Sequence, residues 1–513
     1  MRRSLLILSL TTLAIVCPAA AQDTNPPTQW SATTGQNVLW QTDLAEAGQS
    51  GIAVAGGKLF LTINHPLPVG TTPEEAKGSD LLGLCFDAET GQQLWQVDLP
   101  GKKVMPFAGL FSDNTSPTPV SDGEHVWFIN AGGRIACFTV DGESIWEREF
   151  ETRTRHNAKN CQPILHGDWL LYVAMRDASD PLRRPMRSKL GDRKSDPSNW
   201  PWTFVRAFNK LTGEPAWVAE DGTSIHNTPT VATIGGKSFL FHGRGGGHQP
   251  PERPYGFSLT SLDAADAGKT VWRSDLKSGM AFFVSRFDDR FAYCFDAGRL
   301  VLLNMKDGST AKNIPLMEEC DVYRWDVSSG QYAHETSLDA ALEGAKKPRA
   351  YPTNQSNIIV GDHCLFMSHE GHLIGRVNVI SGKVEYLQVP VQVTRTNGSV
   401  ERKWDKHLPA DTQNSRGMEV AADRRAKGDG WGHVTVGSPI AVGDMVFFST
   451  MLGTVYAIDS SAETFDESAL LSINDSGPAG KTWTLSPLSH HNARFYCRTL
   501  KQLICIGDSE SSP

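Results

Sequence analysis

The sequence predicts an all-β chain folded as an eight-bladed β-propeller, its last blade completed by a strand from the N-terminus. Three observations predict it. One hairpin motif recurs along the chain, a second strand pair precedes each copy, and the final copy lacks an outer strand that stands unmatched near the other end.

The motif is an apolar strand, an Asp or Asn, a Thr/Ser-Gly turn, and an aromatic residue four positions after the glycine. It reads CFDAETGQQLW at 85–95, CFTVDGESIW at 137–146, AFNKLTGEPAW at 207–217, SLDAADAGKTVW at 261–272 and RVNVISGKVEY at 376–386. In LLNMKDGSTAK, 302–312, the aromatic is lost. Glycine supplies the φ > 0 position of a tight hairpin, and the acid or amide before it hydrogen-bonds turn amides. The aromatic returns on the next strand, where it can dock on a neighbouring repeat. This assigns a docking role to Trp40, Gly91, Trp95, Trp146, Gly213, Trp217, Trp272 and Tyr386.

The preceding strand pairs include SPTPVSDGEHVWFIN at 116–130, CQPILHGDWLLYVAM at 161–175, SNIIVGDHCLFMS at 356–368 and SPIAVGDMVFFST at 438–450. Alternating β-branched and aromatic residues between turn signals mark strands. Joined, the halves give four strands per blade. The predicted blades span 48–100, 112–150, 158–220, 225–277, 280–316, 353–393 and 434–475, and the eighth begins near Trp483.

The eighth repeat, 485–508, stops one strand short. TTGQNVLWQTDL at 33–44 supplies that strand, with Gly35 and Trp40 in the turn and aromatic positions. Closure removes the two sheet edges an open ring would expose. The propeller is therefore placed at 33–508, with a short linker at 22–32 and a tail at 509–513.

Residues 1–21 read as a signal peptide: Arg2 and Arg3, an apolar core from Leu5 to Val16, and Ala19-Ala20-Ala21 at the cut. Val16 argues against lipidation of Cys17. No later stretch reaches the ~18 consecutive apolar residues of a membrane span. The expected product is exported, periplasmic or extracellular, and monomeric. Without the two leader arginines it carries 47 basic and 57 acidic groups, a net −10, which disfavours a nucleic-acid partner. The nine cysteines include no CxxC and no adjacent pair. Cys85, Cys137 and Cys505 occupy strand positions filled by Ala207 and Ala457 elsewhere, so buried thiols are expected rather than disulfides.

Counting strands A to D from channel to rim, the long insertions fall in B–C connections (64–79, 178–202, 243–254) and D–A connections (317–352, 394–433). Both connection types emerge on one face of an up-and-down blade. The insertions are expected to crowd that face around the channel mouth, where loops on a rigid scaffold build binding sites. SLDAALEGAKK, 337–347, reads as a short helix there.

The motif resembles that of the pyrroloquinoline-quinone (PQQ)-like repeat, quinoprotein alcohol dehydrogenase-like family. Its tryptophan-docking pattern is matched by Ala207, Asn209, Thr212, Gly213 and Trp217, and by Asp87, Thr90, Gly91 and Trp95 with Cys85 in place of Ala. The resemblance implies the eight-bladed fold. It spans both PQQ-dependent dehydrogenases, which hold PQQ with Ca²⁺, and non-enzymatic scaffolds resembling the outer-membrane assembly lipoprotein. A dehydrogenase of the family would show adjacent cysteines, an oxygen-donor set for Ca²⁺ and an Asp general base. The chain has no adjacent cysteines, and no motif assigns the ligands or the base. The sequence thus points first to a non-catalytic module binding a small molecule or an envelope protein. The alternatives are a divergent quinoprotein oxidoreductase and an envelope assembly scaffold.

Candidate ligand contacts at the channel mouth follow from position. Asn114, Asn160, His226 and Asn354 stand just before strand A of their blades, where they either ring the mouth or satisfy loop backbone. Arg153, Arg155 and His156, with Arg244, offer donors for an anion. Gly245 to Gly247, beside His248, permit close backbone approach to a ligand. Trp431 and His433 lead into blade 7. No HxH or HExxH spacing supports a metal among these residues, and no Gly-x-Ser-x-Gly elbow appears.

Overall fold

The computed structural model describes residues 26–72, 77–78, 80–102, 105–106, 113–150, 162–175, 203–223, 227–244, 256–274, 276, 284–296, 298–338, 356–368, 371–396, 399–420 and 437–508. Seven antiparallel four-stranded sheets and one six-stranded sheet make eight blades of a β-propeller. In the last blade the strands Ser489–His491, Arg494–Arg498 and Gln502–Ile506 are followed at the rim by Val38–Asp43. Trp40 lies opposite Cys505 across that junction. The apolar core is distributed in layers between neighbouring blades, as between blades 8 and 1, where Leu59, Leu61, Leu84, Tyr496 and Leu503 pack together.

Each docking tryptophan lies over the turn glycine of the next blade. An added Cβ would stand 2.5 Å from Trp40 at Gly91, 3.1 Å from Trp95 at Gly142, 2.5 Å from Trp146 at Gly213 and 2.9 Å from Trp217 at Gly268. Trp272 covers Gly308 in the same way. The indole N–H of Trp95, Trp146 and Trp272 donates to a turn carbonyl of the next blade, at Val140, Lys210 and Met305. Gly213 has φ +71°, so a side chain there meets both backbone strain and the indole. Gly213→Ala is expected to cost about 2–4 kcal/mol, measured by denaturant unfolding; a loss under half a kilocalorie would refute the close-packing role.

The docking chain is interrupted in blades 5 to 7. In blade 5 Lys312 takes the aromatic position and its Nζ donates to the carbonyl of Ile380, 2.7 Å away in the turn of blade 6. Tyr386 docks on blade 5, behind it, rather than forward on blade 7. In blades 1 to 5, 7 and 8 a bulge shifts the C–D register beside the docking position; in blade 1, Cys85 faces Trp95 and Phe86 faces Gln93. Blade 6 pairs Gly375 with Tyr386, Arg376 with Glu385 and Val377 with Val384 without a slip. One residue of register reverses the face a side chain occupies. Tyr386 therefore turns back, its hydroxyl donating to the Leu316 carbonyl at 2.7 Å. Arg376 and Glu385 face blade 7 instead. Arg376 donates to Glu385 at 2.6 and 2.9 Å and to the carbonyls of Ser460 and Ala462, and lies 4.7 Å from the centroid of Phe465.

Blade 7 has Ser472 in the aromatic position, opposite Ala457. The gap between blades 7 and 8 is filled from residues read as linker. Trp30 is 1% exposed, its ring centroid 6.0 Å from that of Phe447 and 5.5 Å from that of Phe495. Its backbone N–H donates to Asn474, and Thr33 donates twice to Asp475.

The described part of the 317–352 insertion also departs from expectation. Strands Asp321–Asp326 and Gln331–Glu335 extend blade 6 at its rim, the first parallel to Val384–Gln388. They do not sit at the channel mouth, because strand D offers the open hydrogen-bonding edge of the blade and the mouth does not. A second hairpin, Gln392–Thr396 with Ser399–Lys403, is held to blade 7 by Arg395, whose Nε is 2.6 Å from Asp475. Trp325 and Trp404 stack between the two hairpins, centroids 4.7 Å apart. Beyond Leu338 the predicted helix lies outside the described residues, as do the leader and the tail after 508.

Candidate functional site at the channel mouth

The ends of strands B and D and the starts of strands A and C meet on the inserted-loop face, and two regions of it differ. Over blades 6, 7, 8 and 1 it is capped. Residues 404–420 cross from blade 6 and reach the segments flanking blade 1. The Ser415 amide and hydroxyl donate to Glu46 at 3.0 and 2.6 Å, and Arg416 Nε donates to the Leu67 carbonyl. Beneath them Ala47, Val391, Ala410, Val420, Met451, Leu452, Trp483 and Leu500 form a separate apolar core. This part of the 394–433 insertion is a packed strap whose interior is buried, so its apolar side chains serve stability.

Between blades 3 and 4 the same face carries charge. Asp221 ends the outer strand of blade 3, Pro215–Gly222. Arg244 ends strand B of blade 4, Lys237–Arg244, and Arg273 lies near the end of its outer strand, Thr270–Ser274. Arg273 Nε is 2.9 Å from both Asp221 oxygens, and Arg244 Nε is 3.9 Å from Oδ1. Ser258 and Thr270 donate to Oδ2 at 2.7 and 2.9 Å. Burial opposes the charged carboxylate, but these hydrogen bonds and the Arg244 charge outweigh it and hold its pKa below the ordinary value. Both guanidiniums thus face the one Asp221 carboxylate. Asp221 and Arg244 are buried, whereas the Arg273 side chain is 51% exposed. Such a cluster presents charge-assisted donors to an anion.

His242 lies two residues before Arg244 on the same strand and is fully buried. Burial pushes its pKa down to about 4, against the raising effect of Asp221. The folded value lies below the unfolded ~6.5, so the unfolded chain binds the proton more readily. Stability from neutral His242 is full above about pH 6.5 and is lost as pH falls towards 4. His242→Gln is expected to remove up to about 3 kcal/mol of this acid sensitivity. Melting at pH 7 and pH 4.5 checks it; an equal acid drop in variant and wild type would contradict the assignment.

Two of the candidate contacts read from the sequence are described. Asn114 is buried at the start of blade 2, its carbonyl accepting from Ala131. Arg244 belongs to the charged cluster. Arg153, Arg155, His156, Asn160, His226, His248, Asn354, Trp431 and His433 lie outside the described residues. Sequence reasoning missed Asp221 and Arg273. Their signal was a charged residue at the D–A end of an outer strand in each of two consecutive blades. The seven described cysteines are buried, and none is in a disulfide; burial raises the thiols of Cys85, Cys137, Cys364, Cys497 and Cys505 to about 12.

Calcium-bound PQQ needs a set of oxygen donors. Among the described residues no group of three or more His, Cys, Asp or Glu is placed to hold a metal ion. No helix among the described residues is long and apolar enough to cross a membrane.

Residues 77–248 match the family model PQQ_2, described as outer membrane protein assembly factor BamB. A search of curated proteins found no match. Among solved structures, the chain is similar to quinohemoprotein alcohol dehydrogenase ADHIIG from Pseudomonas putida HK5, with 11% identity, TM-score 0.49, and coverage of 96% of this chain and 79% of that one. It is similar to BamB from Moraxella catarrhalis, with 12% identity, TM-score 0.36, and coverage of 93% and 90%. It is also similar to the computationally designed Ika8 protein, with 10% identity, TM-score 0.45, and coverage of 90% and 98%. In its repeats, in the tryptophan-on-glycine docking between blades and in the family-model match over residues 77–248, the chain is similar to PQQ-like repeat β-propellers.

Proposed function

We propose that the chain is a non-catalytic, exported binding module that engages an anionic group, on a small molecule or an envelope protein, through the inserted-loop face over blades 3 and 4. The observation that carries this reading is the Asp221–Arg244–Arg273 cluster. It brings two guanidiniums, one of them half exposed, to one place on a chain whose overall balance is acidic, and local potential steers a partner more than net charge does. The packed strap over blades 6 to 1 favours the same location, since it fills the other side of the face.

The test compares the full chain with Arg273→Glu, which reverses charge at the exposed member of the cluster. Each is immobilised and exposed to envelope extract at low salt. A species retained by the wild type and lost from the variant supports the reading; identical retention, or none by either, overturns it. Reconstitution with PQQ and Ca²⁺ discriminates the quinoprotein alternative. Tight quinone binding with dye-linked alcohol oxidation would establish an oxidoreductase and end the non-catalytic proposal.

A further inference from the structure

The strand that closes the ring, Val38–Asp43, stands at the edge of its blade, paired with Gln502–Ile506. It is also held at both ends by the insertion that follows blade 6. Before the strand, Asp475 divides its two carboxylate oxygens. Oδ1 accepts from the Thr33 amide and hydroxyl at 2.9 and 2.7 Å, and Oδ2 accepts from Arg395 Nε at 2.6 Å. Arg395 also donates to the Ile473 carbonyl at 2.6 Å. After the strand, Glu46 accepts from the Ser415 amide at 3.0 Å and from its hydroxyl at 2.6 Å. The next residue, Ala47, packs in the apolar core beneath the strap.

Both carboxylates are enclosed, Asp475 4% and Glu46 0% exposed. Water does not readily replace a donor lost from a carboxylate so buried, so each resists separation from its partner. The two anchors also belong to one piece of chain. Arg395 lies in the hairpin Gln392–Thr396 with Ser399–Lys403, the strap continues from Lys403, and Ser415 lies within it. The Leu408 amide donates to the Gln392 side chain at 2.9 Å and ties the strap back to the base of the hairpin. This segment is the one that caps the mouth over blades 6 to 1.

We propose that residues 392–420 form a clasp that couples capping of the mouth to closure of the ring. Lifting the strap parts Ser415 from Glu46 and pulls on Arg395, which loosens Val38–Asp43 at both ends. A loosened closing strand in turn frees the strap, because such coupling is reciprocal. An occupant that displaces the strap from the mouth therefore weakens closure, and tighter closure keeps the mouth capped. The clasp does not depend on the Asp221–Arg244–Arg273 cluster.

Hydrogen–deuterium exchange of the full chain, read by mass spectrometry, tests this, with Arg299–Asn304 of blade 5 as the reference for global opening. Ser415→Ala removes one bond at the Glu46 end without touching the closing strand. It should speed exchange of 38–43 about threefold or more relative to the reference. Arg395→Gln removes the charge from the other anchor and should speed it about tenfold or more. Reciprocally, Thr33→Val lies outside the insertion and should speed exchange of 404–420. Ser415→Ala is the milder change and decides the matter if Arg395→Gln does not fold. Exchange of 38–43 that only keeps pace with blade 5 in the folded variants, or exchange of 404–420 unchanged by Thr33→Val, would show two independent local contacts and overturn the proposal.

Discussion

Deleting residues 26–44 leaves a chain that does not fold to a soluble monomer. The deletion removes the rim strand Val38–Asp43, the tryptophan over Gly91, and Trp30 between blades 7 and 8. Loss of a buried tryptophan such as Trp30 costs about 3–5 kcal/mol, and adding the half-buried Trp40 and the rim strand brings the loss into the range of the whole ~5–15 kcal/mol of a typical folded domain. The exposed edge would be Gln502–Ile506, whose Leu503, Ile504, Cys505 and Ile506 are otherwise fully buried. An apolar open edge recruits other chains. Size-exclusion chromatography and thermal melting of the truncated chain check this. A soluble monomer melting at the wild-type temperature would show that closure contributes nothing.

Arg376→Leu loses about 3–5 kcal/mol, the penalty of stranding a buried partner. Glu385 is 2% exposed and accepts two bonds from Arg376. The carbonyls of Ser460 and Ala462 lose their donor in the same substitution. Lys383 remains 2.7 Å from Glu385 and retains part of its compensation. Replacing both residues in Arg376→Leu/Glu385→Leu should restore much of the loss, because two apolar groups strand no charge. Urea unfolding of the two single variants and the double gives the coupling. Additive losses would show that the pair is not a unit and that blade 6 is joined to blade 7 by other contacts.

The two expectations differ in how far they could be read from sequence. Closure was legible because an unmatched Trp40 and a truncated final repeat are visible in the letters. The Arg376–Glu385 junction was not. The copy at 376–386 keeps the glycine-to-aromatic spacing of the others, so Tyr386 reads as a docking residue. Whether a bulge forms depends on how the two strands pair, and spacing does not report it. Trp30 was overlooked for a related reason: it stands outside the motif and fills a vacancy left by Ser472 more than four hundred residues later. At the candidate site Arg244 was visible beside a glycine run. Asp221 and Arg273 were not, since each sits in an ordinary rim strand and gains meaning only when blades 3 and 4 stand side by side.

The sequence by itself determined the repeat, the eight-bladed ring and its closure, because hairpin turns and docking pairs are encoded within a few residues of one another. The tertiary structure decided which junctions use tryptophan and which use Lys312, the Arg376–Glu385 pair or Trp30. It also decided that one insertion braces the rim while another caps the mouth. Those outcomes rest on register and on contacts between segments hundreds of residues apart, where one residue of slip exchanges the two faces of a strand.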